Sequence, residues 1–332
     1  MSLRRVALKH IRYNEYRATA NAGLWLQKFL DSSGEDDKDA KRRLVQEVAT
    51  LPEPKAYETF YHQWYEALGK QGARIRIAEV SGRMIVGLGD ESVLETSVTL
   101  HRTYGVPFIP GSALKGLTAS YARQHLEGLE WSLSSDYYRA MFGDTESSGY
   151  ITFFDAFYIP KTGFKGHSLY ADVLTVHHQQ YYKDSSAPPA DSDSPVPVSF
   201  LSATGKYLIA LNAPQGCEKW LAAAFQILEA ALLEVGIGAK TSSGYGRLKL
   251  DSIPIDLDQQ RADELIRVIE KFPLTKVAGE MSQLVDRWRN LQVAAPHKRR
   301  VAEAIFKKNR EAGRDRATRN KPWYKEMAAS IE

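Results

Sequence analysis

The residues best suited to chemistry lie in one run, Gly236-Ile-Gly-Ala-Lys-Thr-Ser-Ser-Gly-Tyr-Gly-Arg247, between two strongly apolar segments. Gly236, Gly238, Gly244 and Gly246 permit positive φ and close approach of another chain, so main-chain N–H groups can face outward around an anion. Lys240, Thr241, Ser242, Ser243 and Arg247 add charge and hydroxyl donors at the same place, with Tyr245 among them. That combination holds a phosphate backbone without reading its bases. A nucleotide-binding P-loop is excluded, because Ala239 precedes Lys240 and Glu234 stands where the first glycine belongs. The plainer alternative is a helix-to-strand connection in which Gly236 caps the helix and the other glycines serve tight turns.

A second informative stretch is Pro107 to Gly116. Gly111-Ser112 opens a helix with Ser112 as its expected N-cap, and Leu114, Leu117 and Tyr121 fall on one face. Lys115 in the first turn, together with the free N–H groups and the positive dipole end, makes an anion site; a simple helix start is the alternative. Asp144 and Asp155 are the carboxylates a metal-dependent nuclease would need, yet single aspartates beside strands more often cap turns. Residues 161–199 read as an insertion with little helical or strand period. Within it His177, His178, Tyr181, Tyr182 and Lys183 mix donors, rings and charge as a single-strand binding surface does. Adjacent histidines without further ligands at suitable spacing make no metal site.

Several elements must position these residues. Asn21–Leu30 and about 39–49 read as helices, and Tyr57, Phe60, Tyr61, Trp64 and Leu68 recur at helical spacing. This aromatic stripe is expected to be core packing. From Arg74 the period changes to alternation, giving a strand or a hairpin with Met84–Val86, a further alternating segment over 93–100 and a strand over Tyr150–Phe157 that Asp155 interrupts. Lys206–Leu211 is a strand, and Leu221, Phe225, Leu228, Leu232 and Val235 share one face of the helix that runs into the glycine loop. Tyr245–Leu250 is the strand that leaves it. Beyond Asp251 the chain is helical and increasingly basic, with cations from Arg287 to Lys325 that face few acids.

Composition bounds the rest. The 332 residues, 43% hydrophobic and 25% charged, fit one large or two ordinary globular domains, and a net charge of +4 is compatible with a nucleic-acid partner. With Cys217 the only cysteine, an intramolecular disulfide and a cysteine-based zinc site are excluded, and a reducing, cytoplasmic setting is expected. No apolar run at the N-terminus is long enough for a signal peptide, and Glu229 and Glu234 interrupt the most apolar helix, so no membrane span is expected.

Ile109-Pro-Gly-Ser-Ala-Leu-Lys-Gly116 and the glycine loop together resemble the paired signatures of the RAMP superfamily of CRISPR-associated RNA-binding proteins. Asp172–Tyr182, Pro195–Leu201 and Asn21–Leu26 are similar to the family of the sixth subunit of the type III-B Cmr effector complex. The resemblance covers about Asn21 to Leu250. It implies an α+β fold, a ferredoxin-like (RRM-like) βαββαβ core with the glycine-rich loop after its second helix. Helical N- and C-terminal extensions complete it, with bounds expected at 1–72, 73–254 and 255–332. It also implies a non-catalytic subunit that holds the 3′ part of CRISPR RNA for pairing with target RNA in antiviral defence. The partners implied are the backbone RAMP subunit, the terminal RAMP subunit and, as a further candidate, the small helical subunit; no cofactor is implied. Gly111, Ser112 and Lys115 match the helix-start motif, and Gly236, Gly238, Lys240, Gly244, Gly246 and Arg247 match the loop. His177, His178 and Tyr182 are assigned to RNA from the position of the insertion. A metal-independent RAMP endoribonuclease, with His177 or His178 as general base or acid, is the alternative.

Overall fold

The computed structural model describes residues 8, 10–31, 37–176, 195–251, 257–291, 293 and 295–331. The chain forms two compact units, residues 1–254 and 255–332.

In the first unit, four helices precede the sheet: α1 (Tyr13–Tyr16), α2 (Ala22–Lys28), α3 (Lys38–Ala49) and α4 (Lys55–Lys70). Asn21 and Asp37 start α2 and α3 as side-chain N-caps, accepting from Leu24 N at 3.0 Å and Ala40 N at 2.9 Å. The strands are β1 (Arg74–Val80), β2 (Phe108–Ile109), β3 (Thr152–Phe153), β4 (Ala156–Tyr158), β7 (Lys206–Asn212) and β8 (Leu248–Leu250) in one sheet. β5 (Leu169–Val176) and β6 (Val196–Ala203) form a separate two-stranded ribbon. Helices α5 (Gly111–His125), α6 (Asp136–Phe142) and α7 (Glu218–Glu234) lie between strands in sequence.

The main sheet runs β2-β4-β7-β1-β8 with every recorded pairing antiparallel, and β3 also pairs with β7. Its four core strands therefore stand in the order second, third, first, fourth, with α5 in the first crossover and α7 in the second. This is the split βαβ arrangement of the ferredoxin-like fold. Ala78 pairs with Tyr207 and Leu250, and Tyr207 pairs with Tyr158, so these residues share one face. Leu114, Tyr121, Leu221, Phe225, Leu228 and Leu232 from α5 and α7 join them in one buried core. The other face is covered as well: Phe60 and Trp64 of α4 set their rings edge-on to Phe157, at 5.2 and 5.3 Å between centroids. The hydroxyl of the fully buried Tyr57 donates to Tyr158 O at 2.5 Å. The aromatic stripe of α4 is thus core, as its spacing predicts, and it covers the Phe157 side of the face that RRM domains use for stacking bases.

Arg76 of β1, two residues from Ala78 and so on the face that α5 and α7 cover, is buried. It forms an ion pair with Glu229 at 2.9 Å, donates Nε–H to Asp251 O at 2.5 Å, and lies 5.7 Å from the Phe225 ring centre. A second core joins α2 and α3 to the β5–β6 ribbon through Trp25, Leu44, Val48, Leu169 and Leu201.

Three expectations are revised. β1 forms no hairpin with Met84–Val86: it pairs with β7 and β8, and Met84 makes an isolated bridge to Ala203. The insertion is not without period at its flanks, since β5 and β6 pair in register from Leu169–Ala203 to Val176–Val196. Pro195 and Pro197 argue against a strand, but a two-stranded ribbon leaves each strand an outer edge where a missing N–H is tolerated. Residues 93–100 alternate in burial and pair locally with 86–88 through Ser97 N to Leu88 O and Thr99 N to Val86 O, without forming a strand of the sheet.

The second unit is helical: α8 (Leu257–Lys271), α9 (Val277–Asn290), α10 (Ala295–Glu311), α11 (Asp315–Thr318) and α12 (Pro322–Ala329). Its own core includes Ile269, Leu284, Trp288, Val301, Ile305 and Met327. Among the described residues no helix is long and apolar enough to cross a membrane.

Candidate nucleic-acid interface

The glycine loop leaves α7 at Gly236, which has φ 79° and donates its N–H to Ala231 O at 2.9 Å. The loop then folds against residues 81–87. Ala239 N bonds Ile85 O and Gly246 N bonds Arg83 O, while Ile237 N bonds Gly246 O and Ser81 N bonds Arg247 O, all between 2.7 and 2.8 Å. A Cβ at Gly238 would fall on Ile85 O, one at Gly246 on Ile237 O, and one at Gly236 would lie 2.8 Å from Gly246 O. Most of the loop's N–H groups are consequently turned inward, against the expectation that they face an anion. The outward part is smaller. Lys240 takes a left-handed conformation, φ 58°, and starts a single 3-10 turn, Thr241–Ser243, closed by Gly244 at φ 87°. The N–H groups of Lys240, Thr241 and Ser242 have no backbone acceptor among the described residues.

Charge at the loop is available. Lys240 has no acid partner among the described residues, and half-buried Arg247 keeps its Nη1 shielded from solvent with no hydrogen-bond partner among them. Tyr245 points elsewhere: its hydroxyl donates to Asp172 Oδ2 at 2.8 Å, and burial together with this carboxylate pushes its pKa up to about 12. Asp172 also accepts from Arg83 Nη1 at 3.0 Å, and the Arg83 guanidinium lies 3.6 Å from the Tyr170 ring centre. Asp172, Arg83 and Tyr170 thus fasten the β5–β6 ribbon to the glycine loop. Sequence reasoning passed over this cluster, because its members sit 73 and 89 residues apart and none has a local signature. The ribbon leads into residues 177–194; His177, His178 and Tyr182 lie outside the described residues.

The helix start is built differently from its sequence reading. α5 begins at Gly111, and Ser112 lies inside its first turn without capping it. The cap comes from Asp155, whose Oδ1 accepts from Gly111 N at 2.7 Å across 44 residues. A carboxylate therefore already compensates part of the positive helix end. A side chain at position 111 would strike Phe153 O, which explains the glycine. Lys115, half-buried one turn on, has no acid partner among the described residues. Asp144 likewise caps a turn, accepting from Glu146 N at 2.9 Å and Ser147 N at 2.8 Å, which holds its pKa below the usual carboxylate value. Among the described residues no cluster of three or more His, Cys, Asp or Glu could hold a metal ion.

The two motifs are not brought together. Phe153, beside Gly111, pairs with Leu211, which pairs with Arg74 at the start of β1, whereas the glycine loop adjoins Val80 and Ser81 at its end. At about 3.3 Å per strand residue the two positions lie roughly 20 Å apart along the sheet. They can grip different phosphates of one extended strand, not the same phosphate.

Comparison with known proteins supplies the context. The sequence profile described as the RAMP superfamily matches residues 78–249. The CRISPR system Cmr subunit Cmr6 of Pyrococcus furiosus is 31% identical over 261 residues, covering 61% of this chain and 76% of that protein. Among solved structures, a chain of the type III-B Cmr-beta complex bound to cognate target RNA aligns over 74% of this chain and 89% of its own, at 18% identity and a TM-score of 0.49. The crystal structure of Cmr6 from Pyrococcus furiosus aligns over 53% and 97%, at 29% identity and a TM-score of 0.36. The chain belongs to the RAMP superfamily and, within it, to the family of the Cmr6 subunit of CRISPR Cmr systems.

Proposed function

We propose that this chain is a non-catalytic, cytoplasmic CRISPR RNA-binding and assembly subunit of a type III-B Cmr complex, holding the 3′ part of the guide while its bases pair with target RNA. The observation that carries the reading is the turn Lys240–Ser243. There an ammonium without an acid partner stands beside N–H groups without backbone acceptors among the described residues. Such a turn binds phosphate oxygens and leaves bases free. Lys115 takes a second phosphate at the start of α5, and Gly111 and Ser112 shape its approach. His177, His178 and Tyr182 contribute contacts from the insertion, which acts as a thumb between bases. Neighbouring backbone and terminal RAMP subunits, and the small helical subunit, complete the assembly.

The test is salt-dependent binding of a labelled single-stranded RNA to the Lys115→Ala, Lys240→Ala and double variants, with the RNA sized on a gel afterwards. Each substitution is expected to lower the slope of log affinity against log salt by about 0.7. Because the positions are roughly 20 Å apart, the two losses should add. Unchanged affinity and slope in the double variant would exclude this grip. Discrete shortened products, lost in His177→Ala and His178→Ala, would move the assignment to the endoribonuclease.

A further inference from the structure

The positive charge of this chain is concentrated where the family match does not reach. From Arg287 to Glu332 there are 13 Lys and Arg against 5 Asp and Glu, whereas the preceding residues carry 31 against 35. Much of this charge is paired: Arg289 with Glu326 at 2.6 Å, Arg300 with Asp263 at 2.7 Å, and Arg319 with Asp315 at 2.9 Å. These pairs, with Glu311 lying 3.9 Å from Lys308, engage the acids between 307 and 326 and leave a set of cations over. Lys307, Arg310, Arg314, Arg316, Lys321 and Lys325 are all exposed and none forms an ion pair among the described residues, although Arg310 acts at longer range on Asp315.

The frame beneath them is rigid. The Phe306 and Tyr324 ring centres lie 4.6 Å apart, buried Asn309 Nδ2 donates to Thr318 Oγ1 at 2.7 Å, and the Tyr324 hydroxyl donates to Asp315 at 3.0 Å. α11 and α12 are thereby folded back onto α10. Lys307 and Arg310 sit one turn apart on α10, Arg314 and Arg316 flank the start of α11, and Lys321 and Lys325 sit one turn apart at the start of α12. None of the rings in this segment is exposed.

We propose that residues 307–325 form a second RNA contact, one that grips the sugar-phosphate backbone independently of sequence. Six cations outside these ion pairs on an ordered frame match the charge of a polyphosphate, and the lack of an exposed ring removes base stacking as a mode. The contact shares with the proposed function only that the ligand is RNA, and it does not depend on the glycine loop. It should take RNA and DNA of any sequence alike.

The experiment uses the full chain carrying Lys307→Gln, Arg310→Gln, Lys321→Gln and Lys325→Gln, titrated with labelled single-stranded RNA and DNA from 50 to 200 mM salt. At about 0.7 per phosphate contact, the slope should fall by about 2 to 3, equally for both nucleic acids. A charge-retaining variant, Lys307→Arg with Lys321→Arg, should keep the wild-type slope, which separates charge from folding. An unchanged slope in the fourfold variant overturns the proposal. So does an unchanged slope joined to loss of co-assembly with other subunits, which would make the occupant an acidic protein surface. Lys115→Ala with Lys240→Ala run in parallel reports on the glycine loop alone, so either contact can fail without the other.

Discussion

A Cβ at Gly238 would fall on the Ile85 carbonyl oxygen, and φ there is 86°. Gly238→Ala should therefore cost about 2–4 kcal/mol, through left-handed strain and the displaced 81–87 segment. Gly116 is the contrasting case. It lies inside α5 with nothing within 4 Å of its would-be Cβ and has no positive φ, so Gly116→Ala should add about 0.5–1 kcal/mol. Urea midpoints for the two variants check both signs. A neutral Gly238→Ala would mean that packing against Ile85 does not account for that glycine. Gly236, Gly238 and Gly246 are explained by the loop's own packing, whereas Gly244, at φ 87° with open space around it, is required only by the turn that presents Lys240. At the residue scale, the glycines build a platform more than they cradle a ligand.

Among the elements, the β5–β6 ribbon is held on one side by the apolar core it shares with α2 and α3 and on the other by one polar cluster at the glycine loop. Asp172 accepts from Tyr245, from Arg83 and, at 3.4 Å, from Ser202. Its side chain and that of Arg83 are 21% and 32% exposed, so the pair is only modestly screened. Asp172→Ala should loosen the ribbon's attachment to the glycine loop at a cost of about 1.5–3 kcal/mol. Hydrogen exchange should speed up over 169–176 and 195–203 and stay unchanged in β7; equal acceleration in β7 would show that the cluster holds the whole core instead. The same substitution should lower the Tyr245 pKa from about 12, since one of its two causes disappears. These contacts mark the limit of what the sequence reveals. α4, β7 and α7 were legible because each carries a long unbroken period that local physics alone produces. The burial of Arg76 had no local signal, because its ion-pair partner Glu229 lies 153 residues on. Ser112 looked like a cap, but Asp155, 44 residues on, supplies it. The loop's chemistry could be read from its residue types, yet the inward turn of its N–H groups depends on segment 81–87, which no spacing rule connects to it.

At the scale of the whole molecule, the chain has several cores, and among the described residues the second unit's core is formed by residues within 262–331. Ile305 of α10 and Leu228 of α7 are both fully buried. Replacing either by Ala should cost about 2–5 kcal/mol, the loss of transfer energy plus the cavity left behind. The damage should stay within the unit that carries it, with Ile305→Ala speeding exchange in α8–α12 and Leu228→Ala in β1, β7 and α7. Equal acceleration in both units by either variant would mean that they unfold as one. The consequence for binding follows from the same separation. The six cations of 307–325 keep their spacing only while Phe306, Asn309 and Tyr324 stay packed, so Ile305→Ala at a temperature that melts the second unit should remove their share of the salt slope. The share contributed by Lys115 and Lys240 should persist, because their frame is the sheet and its two helices. A slope that falls to zero with the second unit would show that the glycine loop makes no phosphate contact of its own.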